Sequence, residues 1–176
     1  MTQYARPDSD VSDGRWVNSA GNNTNLYSYI DESTVSDSDY IQVTDEWGST
    51  DTCIFGLGDV TDPSSASDHK FTVRYRDSSY SGSTGLTATL LQGASTTIRA
   101  FSVYLDPDGS FAETTITLTE SEANNISDYS DLRLKIQITD DMGMGAVSKV
   151  SWAYFECPDA SVAAVSNPAF LLFLDP

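Results

Sequence analysis

Apolar and polar residues alternate with a period of two through most of this chain. In DLRLKIQIT, Leu132, Leu134, Ile136 and Ile138 fall on one side and Arg133, Lys135 and Gln137 on the other, the mark of a strand with one dry and one wet face. The pattern returns in KFTVRYRD, with Phe71, Val73 and Tyr75 inward, and in LTATLLQ, TTIRAFSVYL, ETTITLT and AVSKVSWAYFEC. With TCIFGL these runs predict about seven strands between positions 52 and 157. LDPDGS, SGSTG and QGAS carry the Pro, Gly, Asp and Ser that tight turns need. Helical signal is confined to TESEANNISDY, where Thr119 caps a first turn, Glu122 reaches back, and Ala123 and Ile126 share the buried side.

Short, evenly spaced strands with one brief helix predict an all-β fold: an antiparallel, jelly-roll-like β-sandwich. Long amphipathic helices, which parallel α/β folds require, are missing from the pattern. The ends differ from the middle. Residues 1–40 are polar and rich in Asp, Ser and Asn, with only NLYSYI apolar enough for a strand, and read as an N-terminal arm laid over something. Residues 41–160 form the sandwich, and 161–176 a C-terminal arm that closes on AFLLFLDP. Phe170, Leu171, Leu172, Phe173 and Leu174 are too few to cross a bilayer, which takes about 20 apolar residues. Left in water such a run is an aggregation hazard, so it is expected to dock, either on its own core as an edge strand or on a neighbouring subunit.

At 176 residues the chain is one domain by length. Its 26 acidic against 9 basic side chains give a net charge of -17, which repels phosphate backbones and argues against nucleic-acid and membrane-surface partners. Asp outnumbers Glu by 20 to 6. That bias fits turn-rich β structure, and equally a salty environment in which carboxylate surfaces stay soluble. The opening MTQYARPDSD has no apolar core of a secretory signal, so synthesis in a cytosol is expected. Cys53 and Cys157 lack metal-ligand spacing and read as two buried thiols, with a disulfide formed after release from the cell as the alternative.

Candidate chemistry is sparse. His69 is the single histidine and no G-x-S-x-G motif occurs, so a hydrolase triad is not expected, and among 26 carboxylates no pair stands out as an acid and base. The chain is read as a non-enzyme. DPDGSFAE misses the calcium-loop pattern, having Phe111 and Thr117 where the Gly and Glu belong. Asp59, Asp62 and Asp68, crowded in one long loop, are the candidates for a structural calcium; no other cofactor is expected. Trp152, Tyr154 and Phe155 are apolar enough for core packing, with sugar stacking on a sheet face as the alternative. Arg74, Arg76, Arg133 and Lys135 are expected to pair with neighbouring carboxylates. NNT at 22–24 and NIS at 125–127 match glycosylation acceptors, which mean nothing without secretion.

The Pro-Asp opening with Gly14 and Trp16, IDE at 30–32 with DSDYI at 37–41, HKFTVRYR, LTATLLQG, and ISDYSDLRL before a strand that ends in PDA form a recognisable set. Together they resemble β-sandwich domains of structural proteins in tailed bacteriophages and prophages, over nearly the whole chain up to Ala160. The resemblance implies a virion protein of the head-decoration or cement type, or a module on a fibre, and brings no catalytic motif. On that reading the partner is the major capsid protein, the location is the capsid surface after synthesis in the host cytoplasm, and the assembly is a homotrimer. Trp16 and Tyr27 of the first arm and the apolar run Phe170 to Leu174 of the second would form its interfaces. The alternative is a carbohydrate-binding module displayed on a fibre or surface.

Overall fold

The computed structural model describes residues 1–44, 50–77, 84–105, 109–140 and 147–160. Among these described residues eleven strands run in chain order: β1 (Thr2–Ala5), β2 (Pro7–Ser12), β3 (Val17–Asn18), β4 (Ile41–Thr44), β5 (Thr50–Leu57), β6 (Lys70–Asp77), β7 (Thr84–Gln92), β8 (Thr96–Tyr104), β9 (Ala112–Thr117), β10 (Leu132–Asp140) and β11 (Val147–Pro158). They form two antiparallel sheets. Sheet A is ordered β3-β4-β11-β6-β9, with β1 also on β11; sheet B is ordered β2-β5-β10-β7-β8. The last eight strands alternate between sheets as β4-β11-β6-β9 facing β5-β10-β7-β8, the double Greek key of a jelly roll.

The seven strands read from alternation are β5 to β11, and their inward residues build the core. Phe55, Phe71, Leu86, Ile136 and Phe155 are fully buried between the sheets, and Leu132, Leu134, Ile136 and Ile138 all face inward on β10. The helix α1 (Glu120–Ala123) starts at a complete capping box, with Thr119 accepting from the Glu122 amide and the Glu122 carboxylate accepting from the Thr119 amide. Cys53 and Cys157 are free, buried thiols, one in each sheet. Burial holds both protonated, raising Cys157 to about 11 and Cys53 well above its ordinary value.

Residues 1–40 are not an arm. β1 joins sheet A and β2 joins sheet B, and NLYSYI forms a single 3-10 turn (Leu26–Tyr29) instead of a strand. Trp16 has 0% of its surface exposed, and Leu26 and Ile30 are buried with it. Side chains replace the ladder bonds this polar segment lacks. Both Asp10 oxygens accept backbone amides, from Leu26 and Tyr27. The Asn18 carbonyl accepts from Ala20 and Asn22 while its amide donates to Thr24. Arg15 pairs with the buried Asp51. Gly14, at φ 56, lies so close to the Thr52 carbonyl that a Cβ would overlap it. Of the expected interface residues, Trp16 is buried in the core and Tyr27 packs half-buried against it. Phe170 to Leu174 and the LDPDGS turn at Asp106 to Asp108 lie outside the described residues, as does most of SGSTG.

His69 is a buried core histidine. Its Nδ1 lies 2.9 Å from the Ser67 carbonyl, which can only accept, so Nδ1 carries the proton and Nε2 accepts from the Tyr129 hydroxyl at 2.7 Å. Both rings also meet: His69 lies 5.8 Å from Tyr129 and 5.9 Å from Phe155. Burial lowers the His69 pKa, against the pull of the Ser67 carbonyl and of Asp62 and Asp68, and burial pushes Tyr129 up to about 12.

Two measurements check this account of the core. Trp16→Ala is expected to cost about 3–5 kcal/mol in denaturant unfolding, and Gly14→Ala to destabilise as well; stability unchanged in both would make residues 1–40 a dispensable arm after all. Because the folded pKa of His69 lies below its unfolded value, the unfolded chain binds the extra proton, and stability from this site is present above pH 6.5 and lost as pH falls below it. Unfolding of wild type and His69→Gln at pH 7.5 and 5.5 is expected to show the wild-type advantage shrinking at the lower pH, and an advantage that grows would refute the neutral, buried imidazole.

Candidate functional site

The outer face of sheet A gathers most of the unusual side chains. On β6 the outward positions are Lys70, Thr72, Arg74 and Arg76. On β11 they are Lys149, Trp152, Tyr154 and Glu156. The register pairs Lys70 with Glu156, Thr72 with Tyr154, Arg74 with Trp152 and Arg76 with Lys149, and sets Tyr4 of β1 opposite Glu156.

A bulge decides which residues of β11 reach this face. The register shifts between Val150 and Trp152, so Ser151 is an extra residue and the alternation flips across it. Trp152 and Tyr154 therefore point outward while Ala153, Phe155 and Cys157 point into the core. Core packing, expected for all three aromatics, holds for Phe155 alone. The Ser151 hydroxyl is satisfied by Asp37, to which it donates at 2.9 Å.

Three rings form a row. Trp152 and Tyr154 have centroids 4.7 Å apart with planes inclined by 56°, and Tyr154 meets Tyr4 edge-on at 5.7 Å and 63°. Tyr4 is 48% exposed, whereas Trp152 and Tyr154 are half-buried. The Arg6 guanidinium lies over the Tyr4 ring at 5.1 Å, and Arg6 Nε and Trp152 Nε1 both donate to the Glu32 carbonyl, at 3.2 and 2.6 Å. That carbonyl fixes the Trp152 ring at one end of the row.

Charged and hydroxyl groups surround the rings. Lys70 pairs with Glu156 at 3.0 Å, and the two hydroxyls of Thr72 and Thr115 share a hydrogen bond of 2.8 Å. Arg74 grips Asp37 through two parallel bonds of 2.8 and 2.6 Å; this pairing keeps the Asp37 carboxyl below its ordinary range. Further along, Lys149 Nζ sits 4.0 Å from the Tyr40 ring centroid, and Arg74 and Arg76 both lie over Phe111, at 5.6 and 5.7 Å. Of the four cations expected to find carboxylates, Arg74 and Arg133 do, the latter with Asp131 at 3.1 Å. Arg76 and Lys135 have no carboxylate partner among the described residues.

The calcium candidates do not converge. Asp62 accepts the Ser64 amide at 2.7 Å in a local turn, Asp68 takes a left-handed backbone at φ 58, and Asp59 lines a separate open groove of about 310 Å3 with Asp8, Asp131 and Arg133. Turn chemistry accounts for the aspartates in this stretch of sequence, and Asp62 and Asp68 both face the charge environment of His69. Among the described residues no three His, Cys, Asp or Glu side chains are grouped to hold a metal ion.

No protein-family model matches the chain, and no curated protein matches it. Several solved β-sandwiches are similar in architecture. SGBP-B from a complex xyloglucan utilization locus in Bacteroides uniformis aligns over 86% of this chain and 46% of its own, at 11% identity and a TM-score of 0.49; this chain spans less than half of that protein's length. A Stig cyclase from Fischerella aligns over 90% of this chain and 100% of its own, at 15% identity and 0.48. A family 61 carbohydrate-binding module in complex with beta-1,4-galactotriose aligns over 88% and 86%, at 8% identity and 0.45. Likenesses of this degree carry no argument about ligand or activity.

Proposed function

We propose that this chain is a non-catalytic binding module whose ligand is a glycan held on the outer face of sheet A. The observation that carries the reading is the row of Tyr4, Tyr154 and Trp152. Aromatic rings turned out of a sandwich onto a sheet face contribute nothing to the core between the sheets, and a contiguous row of them is the kind of surface that serves binding. A pyranose ring offers an apolar C–H face to pack on an aromatic ring and a rim of hydroxyls that need partners. The row supplies the first, and the Tyr4 and Tyr154 hydroxyls, Thr115 and the Lys70–Glu156 pair supply the second. Because the rings are inclined to one another by 56° and 63°, they suit a chain that turns from one sugar to the next better than a flat one.

The resemblance to virion β-sandwich domains supplies the setting: a module displayed on a phage fibre or head. The cement reading, with a trimer bound to the major capsid protein, rests on that resemblance and on the apolar run at 170–174. Copy number per virion, by quantitative mass spectrometry, separates the two. A handful of copies is expected for a displayed glycan reader, and near one-to-one with the capsid protein would favour the cement.

The direct test is titration of the chain with soluble oligosaccharides, chosen by a glycan array. Tyr154→Ala and Tyr4→Ala are each expected to weaken binding roughly 30-fold, the loss of a contact worth about 2 kcal/mol, with thermal unfolding little changed. Absence of glycan binding by the wild type, or variants that bind as well as it does, would overturn the proposal.

A further inference from the structure

Five of the nine basic side chains of this very acidic protein lie on the face that carries the aromatic row: Arg6, Lys70, Arg74, Arg76 and Lys149. Three of them are engaged. Lys70 pairs with Glu156, Arg74 with Asp37, and Arg6 is bonded to the Glu32 carbonyl. Arg76 and Lys149 are different. They are directly cross-strand neighbours on β6 and β11, at a spacing of about 4.5–5.5 Å between Cβ atoms. Neither makes an ion pair with a carboxylate among the described residues; Asp37, held by Arg74, feels the charge of Arg76 without bonding to it.

Like charges set opposite each other on neighbouring strands destabilise a sheet, so this pair opposes folding unless something neutralises it. The two side chains are also held. Lys149 rests on the Tyr40 ring at 4.0 Å and Arg76 over Phe111 at 5.7 Å. A ring orients a cation but takes none of its charge-assisted hydrogen bonds. The Nε–H of Arg76 is buried with no acceptor among the described residues, a donor whose desolvation is uncompensated. Two oriented cations with unused donors, an orphaned N–H, and a continuous strand leading to an aromatic row describe half of a site.

We infer that Arg76 and Lys149 form an anion subsite of the glycan face, so that its ligand is an oligosaccharide bearing carboxylate or sulfate groups. The inference rests on the glycan reading proposed above. From Tyr154 to Lys149 the strand covers roughly 16 Å at 3.3 Å per residue, so one short oligosaccharide spans ring row and cation pair, passing the neutral Arg74–Asp37 pair midway. The protein's net charge of -17 does not forbid this: at 0.15 M salt the screening length is about 8 Å, and an anion seated on the pair feels the two adjacent cations above all.

The experiment is calorimetric titration of the full chain at 0.15 M salt with three probes of matched length: a neutral galacto-oligosaccharide, an oligogalacturonate, and a sulfated galacto-oligosaccharide. Wild type is expected to prefer an anionic probe over the neutral one by about tenfold, the scale of charge-assisted hydrogen bonding; which of the two binds more tightly tells carboxylate from sulfate. In the double variant Arg76→Gln, Lys149→Gln that ratio should fall to near one, whereas in Tyr154→Ala all three probes should weaken together. A neutral probe bound as well as or better than both anionic ones, or a double variant that keeps the preference, would overturn the anion subsite while leaving the glycan reading intact. Failure of every probe would overturn the anion subsite, and failure across the glycan array as well would overturn the glycan reading with it.

Discussion

β11 pairs with β6 along one edge, and along the other with three separate pieces of chain: β4, the Ile30 carbonyl that accepts from Ala153, and β1. Twelve residues near the end of the sandwich thus hold together segments drawn from the first half of the sequence. The single extra residue at Ser151 then sets what each side of that strand presents. Without the bulge, continuing the alternation from Lys149 would send Ala153 and Phe155 outward and put Trp152 and Tyr154 in the core. The bulge is itself stabilised from outside, by the Ser151 hydroxyl on Asp37 and by Asp37 on Arg74. One ion pair on the surface is therefore linked to the register of the central strand and to the ring row.

The acidity of the chain becomes less puzzling once its aspartates are placed. Asp10 accepts two backbone amides of the 3-10 turn, Asp62 and Asp128 each accept an amide two residues on, and Asp51 is buried against Arg15. Such uses favour Asp over Glu, because the shorter side chain reaches its own neighbouring backbone. They also explain how residues 1–40, poor in apolar side chains, stay attached to a sandwich: carboxylates and amides satisfy backbone groups that regular ladders would otherwise pair.

Much of the fold was legible in the sequence, since a strand with one buried face writes its period into the side chains. β5 to β11 and the capping box at Thr119 were readable for that reason. The first forty residues were not. β2 is an edge strand with five of its six residues exposed, and β3 has two residues, so neither carries alternation, and Trp16, read as an interface residue, is the buried anchor of the segment. The candidate face was half legible. Trp152 and Tyr154 were visible as aromatics, but their direction depended on a bulge that period-two reading passes over. Tyr4 and Arg6 were hidden in a segment read as an arm, and the pairing of Arg76 with Lys149 required the register.

The candidate face also belongs to the most distant contact of the fold. Tyr4 comes from the second to fifth residues of the chain and meets Tyr154 near the end of the last strand, in a ladder that joins Thr2 to Pro158. Closing so long a loop costs conformational entropy before any contact compensates it, so β1 is expected to join sheet A after the β6–β11 pairing exists. The ring row is then complete only when the two termini of the sandwich have met. A binding face assembled this way cannot form on a partly folded chain, and occupancy of the row by a ligand would stabilise the closing strand by linkage. Site and fold are thus coupled through β1, which gives Ala5 to the core and the most exposed ring of the row to the face.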